Sequence, residues 1–244
     1  MAKENDELTL TALKAAIDEE ALSWTAGETS IAALPPAQRR KYLGVKMTEA
    51  QIKTMAATVR QQAQLERGAF EFGTVFAAPA AFDWRNVGGQ DYCGPVKDQG
   101  ACGSCVAFGT CGAIEANMRI KAQNAGFAVD RFKAFLLFCG GGSCSGWGLT
   151  SGLDYAKSAG VTDEGCFPYQ AHNMPCTDRC GDWQARLVQI VDYAAHSTME
   201  ARKHAIATVG PVVAGMRVFS DFYYYKSGVY QKSAQATNEG LHCI

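Results

Sequence analysis

The sequence predicts an α+β protein whose helices lie mostly in the first half of the chain and whose strands come near its end. Two stretches, about 10–24 and 48–67, carry apolar residues at the three- and four-residue spacing of one helix face. A third stretch, about 104–121, is apolar nearly all round, as a buried helix is. Segments 211–218 and 228–230 have the composition of strands.

Length, charge and hydropathy limit what the protein can be. The chain has 244 residues, of which 48% are hydrophobic and 19% charged, and its formal net charge is −1. These values suit one large domain or two small ones and exclude a disordered chain. The balanced charge disfavours nucleic acid as a partner, and no apolar run approaches the ~20 residues that span a membrane. The first twenty residues lack the apolar stretch of a signal peptide, so the protein is either cytosolic or has lost its signal.

Cysteine usage divides the chain, because none of its ten cysteines lies in the first 92 residues. We expect a mostly helical detachable segment, a helical Cys-rich domain and a partial β-domain, with the bounds 1–80, 81–185 and 186–244. In the first part, Thr48 and Gln51 have the spacing of a helix capping box. The small residues of 73–81 are typical of a linker that a protease can cut.

The cysteines allow three interpretations. They lie at positions 93, 102, 105, 111, 139, 144, 166, 176, 180 and 243. Their clustering favours a disulfide framework made in an oxidising compartment over a set of reduced, buried core thiols. Zinc is the third alternative, since Cys102 and Cys105 have ligand spacing, but no second such pair follows. We therefore expect no metal.

One short segment has the residues of a nucleophilic site. Cys105 begins the predicted buried helix, where the helix dipole and free N–H groups favour a thiolate. Gln99 lies six residues upstream and can place a side-chain amide beside the Cys105 N–H, forming an oxyanion hole. A base is needed as well. Of the four histidines, His242 is the best placed, in an apolar segment that indicates the start of a strand.

The segment from Gln99 to Cys105 resembles the nucleophile motif of the papain family of cysteine peptidases, in which a histidine follows about 130–150 residues later. His242 lies 137 residues after Cys105. Further landmarks of the family occur in the same order, at 83–85, 95–100, 167–169, 210–212 and 225–230. The resemblance covers about 82–244. In addition, 23–27 and 42–44 resemble the propeptide of cathepsin B-like enzymes, which blocks the cleft in the reverse of the substrate direction.

The resemblance implies a papain-like two-domain fold, with a helical left domain, a partial antiparallel β right domain and a mostly helical propeptide. It implies that Cys105 attacks a peptide carbonyl, that His242 forms an ion pair with it, and that Gln99 binds the oxyanion. We expect a cofactor-free, monomeric zymogen that is an endopeptidase rather than a dipeptidyl peptidase and acts on polypeptides in a secreted, periplasmic or lysosome- or vacuole-like compartment. The substrate-binding residues would be Gly146, Trp147, Gly148 and Gly215.

The sequence departs from the family pattern in three ways. Val106 replaces the usual aromatic residue, and Trp147 replaces a glycine that lets substrate approach. Trp147 would either crowd the substrate or turn its ring outward as a pocket wall. The chain also ends two residues after His242, before the family's Asn and later strands. We therefore expect a C-terminally truncated member, and the alternative is a non-catalytic, disulfide-stabilised binding or structural protein of the same fold.

The family also implies disulfide bonds. The expected pairs are Cys102–Cys144, Cys139–Cys176 and Cys166–Cys180. Because Cys105 must remain a thiol, one further cysteine is free, and Cys243 is the natural candidate. Elimination then leaves Cys93 with Cys111 as a fourth bridge.

Overall fold

The computed structural model describes residues 8–71, 78–130 and 133–244. Within these ranges, the α-helices α1 to α6 span Leu10–Glu19, Pro36–Arg39, Glu49–Glu71, Cys105–Lys121, Ser151–Ser158 and Met199–Thr208. The strands β1 to β4 span Trp24–Ala26, Gly215–Phe219, Tyr225–Gly228 and Asn238–Cys243. Short 3-10 turns lie at Arg40–Tyr42, Cys176–Asp178, Trp183–Arg186 and Phe222–Tyr224, and a π-helical turn at Phe135–Cys139. The α+β class is confirmed. In the described ranges, no helix combines the length and apolarity needed to cross a membrane.

The first helix is shorter than the sequence predicts. Thr9 caps α1 by accepting a hydrogen bond from the Ala12 N–H, and Leu13 is fully buried. The helix ends before Ala21, which has a left-handed φ of 50°. Trp24 therefore lies in β1 rather than in the helix, and it is buried where β1 pairs antiparallel with β3.

The third helix begins with the predicted capping box. The Thr48 N–H donates to Gln51 Oε1 at 2.7 Å, and the Gln51 N–H donates to Thr48 Oγ1 at 3.2 Å. Arg217 of β2 forms an ion pair with Glu49 at 3.3 Å. These contacts fix the start of α3 against the C-terminal sheet.

The main core surrounds α4. This helix buries most of its length, and α5, the π-helical turn and β4 all pack against it. The buried residues of this cluster are Cys102, Cys105, Val106, Ala107, Cys111, Ile114, Leu136, Leu137, Trp147, Ala156, Val161 and Cys243. The start of α4 is thereby held rigidly beside the last strand.

A second core joins the two ends of the chain. It contains Leu13 and Trp24 from the N-terminal part, with Val218, Tyr223 and Tyr224 from the C-terminal part. Strands contribute to it, since β1 pairs antiparallel with β3 and β2 pairs antiparallel with β4. The N-terminal segment is therefore packed against the rest of the protein through a buried apolar interface.

Three of the four expected disulfides are present. They join Cys102 to Cys144, Cys139 to Cys176 and Cys166 to Cys180. Cys243 is free, as expected.

The fourth predicted bridge, Cys93–Cys111, is wrong, because both residues are free thiols. Cys111 is completely buried in α4, and burial raises the pKa of its thiol far above the usual range. Cys93 lies in a loop, and its own carbonyl oxygen accepts a hydrogen bond from Arg119 at 3.2 Å. This bond holds the loop of Cys93, and the Cys111 thiol is enclosed in the core around α4.

Candidate active site

Cys105 is the first residue of α4, and only 1% of its surface is exposed. Burial raises the pKa of the Cys105 thiol, and hydrogen bonding from nearby main-chain N–H groups, those of Cys243 and Gly44 among them, opposes that effect. The thiol is therefore covered in this state, and its neutral form is favoured.

His242 lies in β4, where it pairs with Met216 of β2. The contact of β4 with α4 brings it to the same region as Cys105, since Cys243 Sγ lies 3.0 Å from where a Cβ on Gly109 would be. His242 Nδ1 lies 3.0 Å from the carbonyl oxygen of Tyr42. Burial lowers the pKa of the imidazole, so its neutral form is favoured too.

Gln99 completes the group. It is 9% exposed, and its Nε2 donates to the Tyr42 carbonyl oxygen at 3.0 Å and to the Cys102 carbonyl oxygen at 2.7 Å. The Tyr42 oxygen therefore lies between the Gln99 amide and the His242 ring. The structure brings together Gln99, His242 and the start of α4.

Residues 42–46, which we call the cleft segment, run between two parts of the main body. The Trp147 N–H donates to the Gly44 oxygen and the Lys46 N–H donates to the Trp147 oxygen, both at 2.7 Å. On the other side, the Val45 N–H donates to the Leu241 oxygen at 3.3 Å. Val45 and Trp147 form a parallel bridge. Main-chain hydrogen bonds thus hold the cleft segment across the site.

Glycines permit this close approach. A Cβ on Gly44 would overlap the main-chain oxygen of Gly103. Gly146 has a φ of 111°, and a Cβ there would overlap the oxygen of Gly44. Of the predicted binding glycines, Gly146 therefore contacts the cleft segment.

The other predicted binding residues take different positions. The Trp147 ring neither crowds the cleft segment nor turns outward; it is 8% exposed and packs beneath Gly140, while its main chain still pairs. Gly148 faces the Ser151 hydroxyl. Gly215 pairs with Cys243 in the sheet and faces Leu149.

Residues 78–244 match the family described as papain family cysteine protease. The chain belongs to this family. It is 34% identical over 193 residues to "Cathepsin B-like CP3" of Giardia intestinalis, covering 73% of the chain and 62% of that protein. It is 30% identical over 205 residues to "Cathepsin S" of Bos taurus, covering 80% of the chain and 60% of that protein. The chain thus spans about three fifths of the length of these relatives.

Solved structures support the papain-like fold. The structure of "proCathepsin B S9 from Trypanosoma congolense" matches with a TM-score of 0.71 and 21% identity, covering 97% of this chain and 80% of that one. The proform of the ragweed allergen Amb a 11 cysteine protease matches with a TM-score of 0.67 and 20% identity, covering 100% and 72%. The papain-like fold predicted from the sequence is confirmed.

Sequence reasoning missed several residues that shape this papain-family site. Tyr42 and Gly44 belong to a segment that resembles a propeptide, but no pattern in the sequence showed that the Tyr42 oxygen would meet Gln99. Gly103 lies inside the nucleophile motif, so its closeness to the site could have been expected. Tyr169 lies in a recognised landmark, yet its contact with the Gln99 main chain, described below, had no local signal.

Proposed function

We propose that the protein is the zymogen of a cysteine peptidase that hydrolyses peptide bonds through a thioester. Cys105 is the nucleophile, His242 the general base and acid, and Gln99 with the Cys105 N–H the oxyanion hole. One observation carries this proposal. A peptide carbonyl oxygen, that of Tyr42, lies at hydrogen-bond distance from both Gln99 Nε2 and His242 Nδ1. Gln99 therefore already binds a peptide carbonyl oxygen beside His242, as one donor of the proposed oxyanion hole must do.

The reaction follows from these positions once the cleft segment has left. Solvation then removes much of the burial that opposes ionisation, and the start of α4 stabilises a Cys105 thiolate next to a His242 imidazolium. The thiolate attacks the carbonyl carbon, the oxyanion binds Gln99, and His242 protonates the leaving amine. His242 then takes a proton from water, which hydrolyses the thioester and restores the thiol.

The same proposal gives roles to the three parts of the chain. Residues 1–80 act as an intramolecular inhibitor of the domains at 81–185 and 186–244. We place the activating cut between Gly73 and Phe82, a stretch of which 73–77 lies outside the described residues. The substrates are polypeptides, cut internally by a monomeric enzyme. The three disulfides support a secreted, periplasmic or lysosome- or vacuole-like location.

The test is active-site titration of the acid-treated full chain with an epoxide thiol inhibitor, alongside cleavage of a peptide amide. We expect one equivalent of label on Cys105 and cleavage proportional to it. Cys105→Ala should lose both. Cys93→Ala, which removes a free thiol far from the cleft segment, should retain both. Peptide cleavage that survives in Cys105→Ala would refute the mechanism, and a processed chain that neither cleaves nor labels would favour the non-catalytic alternative.

A further inference from the structure

Tyr169 is the last residue of the family landmark at 167–169 (Phe-Pro-Tyr), which has no role in the proposed peptidase mechanism. Its hydroxyl donates to the main-chain oxygen of Gln99 at 2.7 Å and lies 2.8 Å from Ser104 Oγ. A phenol has a single proton. Because that proton goes to Gln99, the Ser104 hydroxyl donates to the Tyr169 oxygen. The side chain thus joins two segments that meet at the candidate active site.

We propose that Tyr169 is a positioning residue that holds Gln99 at the distance from the start of α4 that the oxyanion hole requires. This role rests on the proposed peptidase function. Ser104 directly precedes Cys105, whose N–H is one oxyanion donor, and Gln99 Nε2 is the other. The Tyr169 hydroxyl therefore bonds to the main chain of Gln99, whose side chain is one oxyanion donor. It also bonds to Ser104, which directly precedes the other donor.

The loop between the two donors needs such a contact. It contains Gly100, which has a φ of 61°, and Gly103, so two of the residues between Gln99 and Ser104 lack a side chain that would restrict the backbone. The disulfide at Cys102 fastens the middle of the loop to Cys144. The Tyr169 hydroxyl fixes its two ends relative to each other.

Tyr169 is itself firmly held. Its ring packs edge-on against Phe108 of α4, with centroids 5.0 Å apart. Its N–H donates to Glu164 Oε1 at 2.7 Å, and the other oxygen of Glu164 lies 3.3 Å from the ammonium of the buried Lys133. Burial raises the pKa of the Tyr169 phenol, so the hydroxyl remains a donor. A rigid support of this kind can set donor geometry to a fraction of an ångström.

Removing the hydroxyl should affect turnover more than binding. In Tyr169→Phe the ring stays, but the Gln99 carbonyl and the Ser104 hydroxyl each lose a partner. A donor displaced by up to about 1 Å costs up to roughly 100-fold in rate. We expect kcat on a peptide amide to fall by about 5- to 100-fold while KM stays within about twofold, because the oxyanion forms only in the transition state.

The experiment measures kcat, KM and the rate of Cys105 alkylation by iodoacetamide in the processed enzyme. Alkylation needs the thiolate but forms no oxyanion, so Tyr169→Phe should leave that rate unchanged. Tyr169→Phe should also have no further effect in a Gln99→Ala background. The matched control is Tyr193→Phe, which removes a hydroxyl that donates to Asp154 at the surface. It should match the wild type.

A second variant covers the other half of the contact. Ser104→Ala leaves the bond from Tyr169 to Gln99 intact and should lower kcat by less than Tyr169→Phe does, with unchanged alkylation. An unaltered kcat in Tyr169→Phe, or an equal loss with and without the Gln99 side chain, would overturn the positioning role alone. A wild-type enzyme that cleaves no peptide would overturn the proposed function, and this role with it.

Discussion

Adding a single methyl group at Gly44 should open the covered site. The φ angle of Gly44 is not positive, so alanine fits its backbone conformation. The obstacle is the overlap that its Cβ would make with the Gly103 oxygen. That oxygen belongs to the main chain beside a disulfide, and it cannot rotate away. In Gly44→Ala the cleft segment must therefore move.

The size of the effect follows from the hydrogen bonds that this movement breaks. These are the bond from Trp147 to Gly44 and the bond from Lys46 to Trp147, each 2.7 Å, and the bond from Gln99 to Tyr42, 3.0 Å. Each contributes about 0.5–1.5 kcal/mol. Losing all three lowers the free energy of uncovering Cys105 by about 1.5–4.5 kcal/mol, or roughly 10- to 2000-fold in the population of the open form.

The assay is iodoacetamide labelling of the intact 244-residue chain at neutral pH, read by peptide mass mapping. Cys93 is partly exposed and serves as an internal reference for reagent and folding. We expect labelling of Cys105 relative to Cys93 to rise roughly 10- to 2000-fold in Gly44→Ala. The control is Gly181→Ala, whose Cβ would meet no atom within 4 Å. Equal labelling of Cys105 in the wild type and both variants would refute the reasoning.

Two further predictions concern stability. The buried Tyr223 hydroxyl has no hydrogen-bond partner among the described residues, so Tyr223→Phe should stabilise the chain by about 1–3 kcal/mol in urea unfolding at pH 7. Burial raises the pKa of Tyr223 from 10.0 to about 12, so the wild type should lose stability as the pH rises from 10 to 12, and the variant should lose less. Replacing Cys139 and Cys176 together by alanine removes a loop closure of 37 residues and should cost about 4 kcal/mol in the same assay; an unchanged unfolding midpoint would contradict it.

Local patterns predicted those parts of the site that depend on neighbouring residues. The capping box at Thr48 and the start of α4 at Cys105 are fixed by residues within one or two turns, and both are found where the sequence puts them. The family landmarks supported His242, for which the local pattern offered only an apolar segment at the start of a strand. His242 and Gln99 contact the same Tyr42 oxygen although some 140 residues separate them along the chain.

Features set by distant partners could not be predicted. Trp24 has helical spacing from Ile17, yet it lies in a strand because β3, some 200 residues later, offers it a partner and a buried site. The Trp147 ring turns inward because Gly140 leaves room for it, a fact that the spacing of glycines does not disclose. Cys93 failed to pair because Arg119 holds its loop, and elimination among cysteines takes no account of such contacts.

Under the proposed function, the direction of the cleft segment accounts for a propeptide that fills the site without being cut. The segment bridges Trp147 in parallel, and the Gly44 N–H is one of the main-chain donors that lower the pKa of the Cys105 thiol. The thiol thus meets a hydrogen-bond donor, while the carbonyl that reaches Gln99 and His242 is that of Tyr42, two residues earlier. Attack requires the sulfur and the oxyanion donors to converge on one carbonyl group. Because these contacts fall on two different residues, the segment binds in the site but places no peptide bond where it can be cleaved.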